Sequence, residues 1–100
     1  MTIYDIELSN TQRGQHFFEA GAKRFFRSRI GQEVYEGPGG IFFTTSEQFR
    51  PSIGPAHARK YTVRRFNPET GSVDTHGEFQ AYNTAASARR AARLASEVPA

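Results

Sequence analysis

Asp74, His76 and Glu78 stand at i, i+2 and i+4, the spacing that puts three side chains on one face of a β-strand. Two carboxylates and an imidazole converging in this way are what a nuclease-like metal site needs. The same strand face has a plainer use, because the hairpin register read below sets Arg64 opposite Asp74 and Lys60 opposite Glu78. Both carboxylates are then taken up in cross-strand pairs, and neither a metal nor a cofactor is expected. Other reactive groups are sparse. His16, His57 and His76 are scattered along the chain, and nucleophilic catalysis needs a base held beside a Ser or Thr. There is no Cys, which removes thiolate nucleophiles, disulfides and Cys-based zinc sites together. No glycine-rich phosphate loop occurs, and Gly37-Pro38-Gly39-Gly40 is accounted for by a turn. A protein without enzymatic activity is expected.

Charge is the more informative chemistry. Lys and Arg number 13 against 10 Asp and Glu, a formal charge of +3. Residues 1–22 carry −2, 23–30 carry +4, 31–48 carry −3, 49–66 carry +5, 67–84 carry −3 and 85–100 carry +2. Basic and acidic blocks thus alternate. All the basic residues except Lys23 and Lys60 are Arg, whose planar fork of donors suits phosphates, carboxylates and aromatic faces. Either these blocks are solvated faces that neutralise one another, or several meet in space and form a basic footprint.

Hydrophobic spacing supplies the elements that would hold these groups. Residues 2–8, with Ile and Tyr in alternation, read as a strand. Between Glu19 and Ile30, Ala22, Phe25, Phe26 and Ile30 share one side of a helix, and Lys23, Arg24 and Arg27 occupy the other. Pro38 and Gly39 fit the centre of a type II turn, which pairs Tyr35 with Phe42, Glu36 with Ile41 and Val34 with Phe43. Asn67-Pro68-Glu69-Thr70-Gly71 fits a hairpin turn closed by a left-handed glycine, with Asn67 opposite Gly71. Residues 49–58, with two prolines and a glycine, read as a surface loop. The last helix runs from Thr84 to Val98, capped by Asn83 or Thr84. Its alanine stripe faces inward, and Arg89, Arg90 and Arg93 face out.

These elements make one small α+β domain spanning residues 1–100. Its expected core is an antiparallel sheet of two hairpins, with an extra N-terminal strand and both helices packed on one face. Helices on the Val34–Phe43 side would leave Tyr35 and Phe42 exposed on the other, an aromatic surface of the kind that anchors protein partners. A composition of 37% hydrophobic, 23% charged and 13% aromatic residues suits a folded domain. No apolar run approaches the roughly 20 residues that span a bilayer, and no signal peptide is evident, so a cytoplasmic protein with no membrane partner is expected.

Several segments occur together in a familiar order: His16-Phe17-Phe18, Arg24-Phe25-Phe26-Arg27-Ser28-Arg29, Phe42-Phe43-Thr44-Thr45-Ser46-Glu47, Tyr61-Thr62-Val63-Arg64 and Gly77-Glu78-Phe79-Gln80-Ala81. With them the chain resembles a family of short uncharacterised proteins carried by bacteriophages, plasmids and integrative elements. That resemblance implies an accessory protein that binds and modulates a host protein, such as a restriction or CRISPR defence system. Tyr35, Phe42, Lys23, Arg24 and Arg27 are the expected contact residues. The alternative is a small basic nucleic-acid-binding module using the arginine faces of the two helices, with Arg64, Arg89, Arg90 and Arg93 on the phosphates.

Overall fold

Thr2 and Asp5 turn the N-terminal segment into a helix. In a computed structural model, which describes residues 1–19 and 28–99, the Thr2 hydroxyl accepts from the Asp5 N–H at 3.2 Å and the Asp5 carboxylate accepts from the Thr2 N–H at 2.8 Å. This capping box starts α1 (Ile3–Gln12), where alternation alone suggested a strand. Ile3, Ile6 and Asn10 follow helical spacing, and Ile6 and Asn10 are buried.

Five antiparallel strands follow: β1 (Arg29–Ile30), β2 (Tyr35–Gly37), β3 (Gly40–Glu47), β4 (Lys60–Phe66) and β5 (Val73–Thr75), and then helix α2 (Ala85–Glu97). The central strand β3 pairs with β4 on one side and with both β1 and β2 on the other, while β5 extends the sheet beyond β4. The α+β class and the antiparallel sheet are as the sequence indicates. The C-terminal end of the helix expected over 19–30 is instead strand β1, Arg29 facing Ser46 and Ile30 facing Thr45. Residues 20–27, with Lys23, Arg24 and Arg27, lie outside the described residues.

The first hairpin keeps its expected register, Tyr35 against Phe42 and Glu36 against Ile41. Its turn is not type II, because Gly39 does not have positive φ. Gly39 serves another purpose. A Cβ there would lie 2.1 Å from the Ala95 carbonyl, and its N–H donates to the Ser96 carbonyl at 3.0 Å, so the turn tucks under the end of α2.

The second hairpin is displaced by one residue from the expected pairing. Gly71 is left-handed (φ 74°) as expected, but Asn67 is bonded across to Ser72, leaving four residues in the loop instead of three. The Asn67 side chain accepts from the Glu69 N–H at 2.9 Å and stabilises this longer loop. Arg65 therefore opposes Asp74, and Arg64 opposes Thr75. A slip of one residue moves each side chain to the other face. Nor does Lys60 meet Glu78: β5 stops at Thr75, and the Lys60 ammonium donates to Asn83 at 2.5 Å.

Both faces of the sheet are covered, and the two described helices lie on opposite sides rather than together on one. On one face Ile6, Phe18, Phe43 and Phe66 form a cluster under α1 and the Phe17–Phe18 segment. On the other, Phe42 and Val63 pack against Ala92 of α2, flanked by Tyr35, Tyr82, Ala91 and Ala95. Phe42 is 1% exposed and Phe43 0%. The expected exposed Tyr35–Phe42 surface is therefore absent, because α2 occupies the face that was to be left open. Alanines at 88 and 92 let the helix sit close to the strands, and the Thr84 hydroxyl caps it by accepting from the Ser87 N–H.

Candidate functional site

Close packing of α2 fixes what its flanks present. Ala88, Ala92 and Ser96 point into the protein, which turns Arg89, Arg90 and Arg93 toward the β2 edge and leaves all three exposed. There they border a cleft of about 320 Å³ whose other walls are Glu33, Tyr35 and Ala86. A second cleft, of about 110 Å³, lies alongside, between Arg29 of β1, Tyr61 of β4 and Ala85. Arg89 lines both.

Arg29 reaches this surface because β1 pairs with the far end of β3 at Ser46. Arg59, just before β4, donates to the Ser46 hydroxyl at 2.9 Å. Burial lowers the Arg59 pKa, and the like charges of Arg29 and Arg50 push it further the same way. Burial raises the Tyr35 hydroxyl, with help from Glu33, to which it donates at 2.5 Å, while Arg89 and Arg93 act in the opposite direction. Among the described residues, the one ion pair made by these arginines is Arg93 with Glu97, at 3.9 Å and exposed. Arg29, Arg50, Arg59, Arg89 and Arg90 have no described carboxylate within ion-pair distance. Glu33 and Glu97 offset only part of this charge, so the guanidinium groups repel one another, and an anion placed among them relieves that repulsion.

The expected phosphate-contact residues divide. Arg89, Arg90 and Arg93 come together as a single flank. Arg64 does not join them, since alternation along β4 puts it on the Phe43 face, opposite the Val63 face that α2 covers. Its guanidinium lies 5.2 Å from the Phe17 ring centroid and 5.5 Å from that of Phe79. It donates to the Thr45 and Thr75 hydroxyls at 3.0 and 2.6 Å and lies 3.6 Å from Glu47. Glu47, 1% exposed, accepts from the hydroxyls of Thr45 and Thr62, both at 2.7 Å. Burial lowers the Arg64 pKa, with Glu47 opposing the shift. This network staples β3 to β4 and holds the Arg64 guanidinium within the fold, away from the α2 flank.

A family of unknown function, DUF7447, matches this chain over residues 2–93. The protein belongs to that family. No curated protein and no solved structure matches the chain. The DUF7447 match ends at Arg93, so it takes in every arginine of the surface just described. In this DUF7447 protein Asp74, His76 and Glu78 are not a constellation. Beyond β5 the chain turns at Gly77 (φ 79°), and the His76 ring packs edge-on against Phe42 at 4.9 Å. Among the described residues no three His, Asp or Glu side chains are grouped to hold a metal ion. No described helix is long and apolar enough to cross a membrane.

Arg29, Arg59, Glu33 and Tyr61 are site residues that the sequence reading missed. Arg29 falls at the end of the helical spacing over 19–30, and a two-residue strand has no periodicity to reveal it. Arg59 lay within the +5 block, but nothing local places it beside Arg29.

Proposed function

We propose that this protein is a small, non-enzymatic nucleic-acid-binding module that holds phosphates on Arg89, Arg90 and Arg93 of α2 together with Arg29 and Arg59. The observation that carries this reading is the gathering of these guanidinium groups around two adjoining clefts, with Arg93–Glu97 as their one described ion pair. An overall charge of +3 is modest, but association with a polyanion follows the local density of cations. Arg suits the role, because its fork bonds two phosphate oxygens at once. The test is fluorescence anisotropy with labelled oligonucleotides at low salt, comparing the natural protein with Arg89→Gln/Arg93→Gln. The reading expects binding that the double variant weakens at least tenfold with an unchanged melt. Absence of binding to DNA and RNA, or equal binding by the variant, overturns it.

A second reading is an accessory protein of a mobile element that engages a host protein. It draws on the apolar flank of α2, where Leu94 and Val98 are 46% and 63% exposed beside a groove of about 550 Å³ floored by Phe42 and edged by Arg65 and His76. Affinity purification with and without nuclease separates the two readings. Partners that survive nuclease favour the accessory protein, and partners lost with it favour the nucleic-acid module.

A further inference from the structure

We infer that the nucleic acid held on this surface is single-stranded, with a phosphate at Arg89 and a base against a tyrosine in each flanking cleft; the inference rests on the proposed phosphate binding. Arg89 is the residue shared by the two clefts, Tyr35 lines one and Tyr61 lines the other. Cation and rings therefore alternate across the surface as tyrosine, arginine, tyrosine. That order matches base, phosphate, base along a single strand, and proteins that bind single strands combine a basic groove with aromatic rings on which bases stack. A duplex keeps its base faces stacked on one another and offers the tyrosines nothing.

Glu33 points the same way. It lies in the Tyr35 cleft among three arginines, where its carboxylate would repel a phosphate. One of its oxygens holds the Tyr35 hydroxyl at 2.5 Å and fixes the ring. The other is suited to accept from the exocyclic amine of a base, as carboxylates do from the amino group of cytosine. A base in that cleft, with its phosphate shifted to Arg89, satisfies both the carboxylate and the guanidinium groups. At about 320 Å³ the cleft is at the lower end of the range for small-ligand sites, in keeping with a single base.

The experiment uses the full chain and three labelled probes of one sequence: single-stranded DNA, single-stranded RNA and blunt duplex DNA. Single strands should bind at least tenfold more tightly than the duplex. Tyr35→Leu and Tyr61→Leu should each weaken single-strand binding between about 5- and 150-fold, the range for losing one base–aromatic stack. Duplex binding should not change, and Tyr35→Phe, which keeps the ring but loses its bond to Glu33, should retain more single-strand affinity than Tyr35→Leu. The chain has four Tyr and no Trp, so its intrinsic emission reports on tyrosine. Quenching of that emission by unlabelled single strand but not by duplex tests the stacking without any variant, should Tyr35→Leu fail to fold. Equal affinity for duplex and single strand, or single-strand binding indifferent to both leucine variants, overturns the inference. In that event a loss of binding to every probe in Arg89→Gln would still uphold the phosphate reading. Failure of every probe to bind removes both.

Discussion

Glu47 and Arg64 are a buried pair in which each charge depends on the other. Removing one partner of such a pair costs about 3–5 kcal/mol, because the remaining charge stays desolvated. Glu47→Ala should therefore lower stability by that amount in chemical denaturation, since Arg64 is largely buried between two phenylalanines and the Thr45 and Thr62 hydroxyls lose their acceptor. The double variant Glu47→Leu/Arg64→Met should recover much of the loss, as apolar replacement of a buried pair removes both desolvation penalties. If the single and double variants lose equally, the pair is not what couples these residues. Gly71 is the second residue with a specific role. At φ 74° a side chain is strained, and a Cβ would also lie 3.0 Å from the Ser9 carbonyl and 2.8 Å from Arg13. The Asn10 amide donates to the Gly71 carbonyl at 2.8 Å, so this glycine joins the hairpin to α1. Gly71→Val should cost at least about 1–3 kcal/mol, read as a lower melting temperature. An unchanged melt would contradict the left-handed turn.

At the scale of elements the central feature is a sheet covered on both faces. Phe42 and Phe43 belong to separate clusters, one under α2 and one under α1. Phe42→Ala and Phe43→Ala should each cost roughly 3–5 kcal/mol. Loss confined to Phe43→Ala would show that α2 does not seal its face. How much of this was legible varied with how local the signal is. The first hairpin could be read in register because Pro38 and Gly39 leave few ways to turn between β2 and β3. The second was misread by one residue, because Asn67 stabilises a four-residue loop as readily as the shorter one, and opposite charges offered agreeable partners in the wrong register. Helix α1 was present in the sequence as Thr2 and Asp5, a capping pair that outweighs the alternation of Ile3, Tyr4 and Ile6. Strand β1 and the Glu47–Arg64 pair carry no local signal, since both depend on how β3 meets distant residues.

For the whole molecule, folding sorts the alternating charge blocks seen along the chain. Arg64 is withdrawn into a neutralised network, Arg65 is left beside the apolar flank of α2, and Arg29, Arg59, Arg89, Arg90 and Arg93 collect around the two clefts. One helix thereby separates a basic surface from an apolar one, and no reacting group is needed for either to bind. The family match spans the fold from α1 to Arg93 and includes all of the basic surface. The most direct test of the central claim is the salt dependence of oligonucleotide binding. Neutralising phosphates releases counterions, so log K should fall linearly with log salt, by about 0.7 per contact for a single strand and 0.9 for duplex. With three to five arginine contacts the account predicts a single-strand slope of about −2 to −3.5, reduced by roughly 1.4 in Arg89→Gln/Arg93→Gln. A slope near zero, or one that the double variant leaves unchanged, would contradict it.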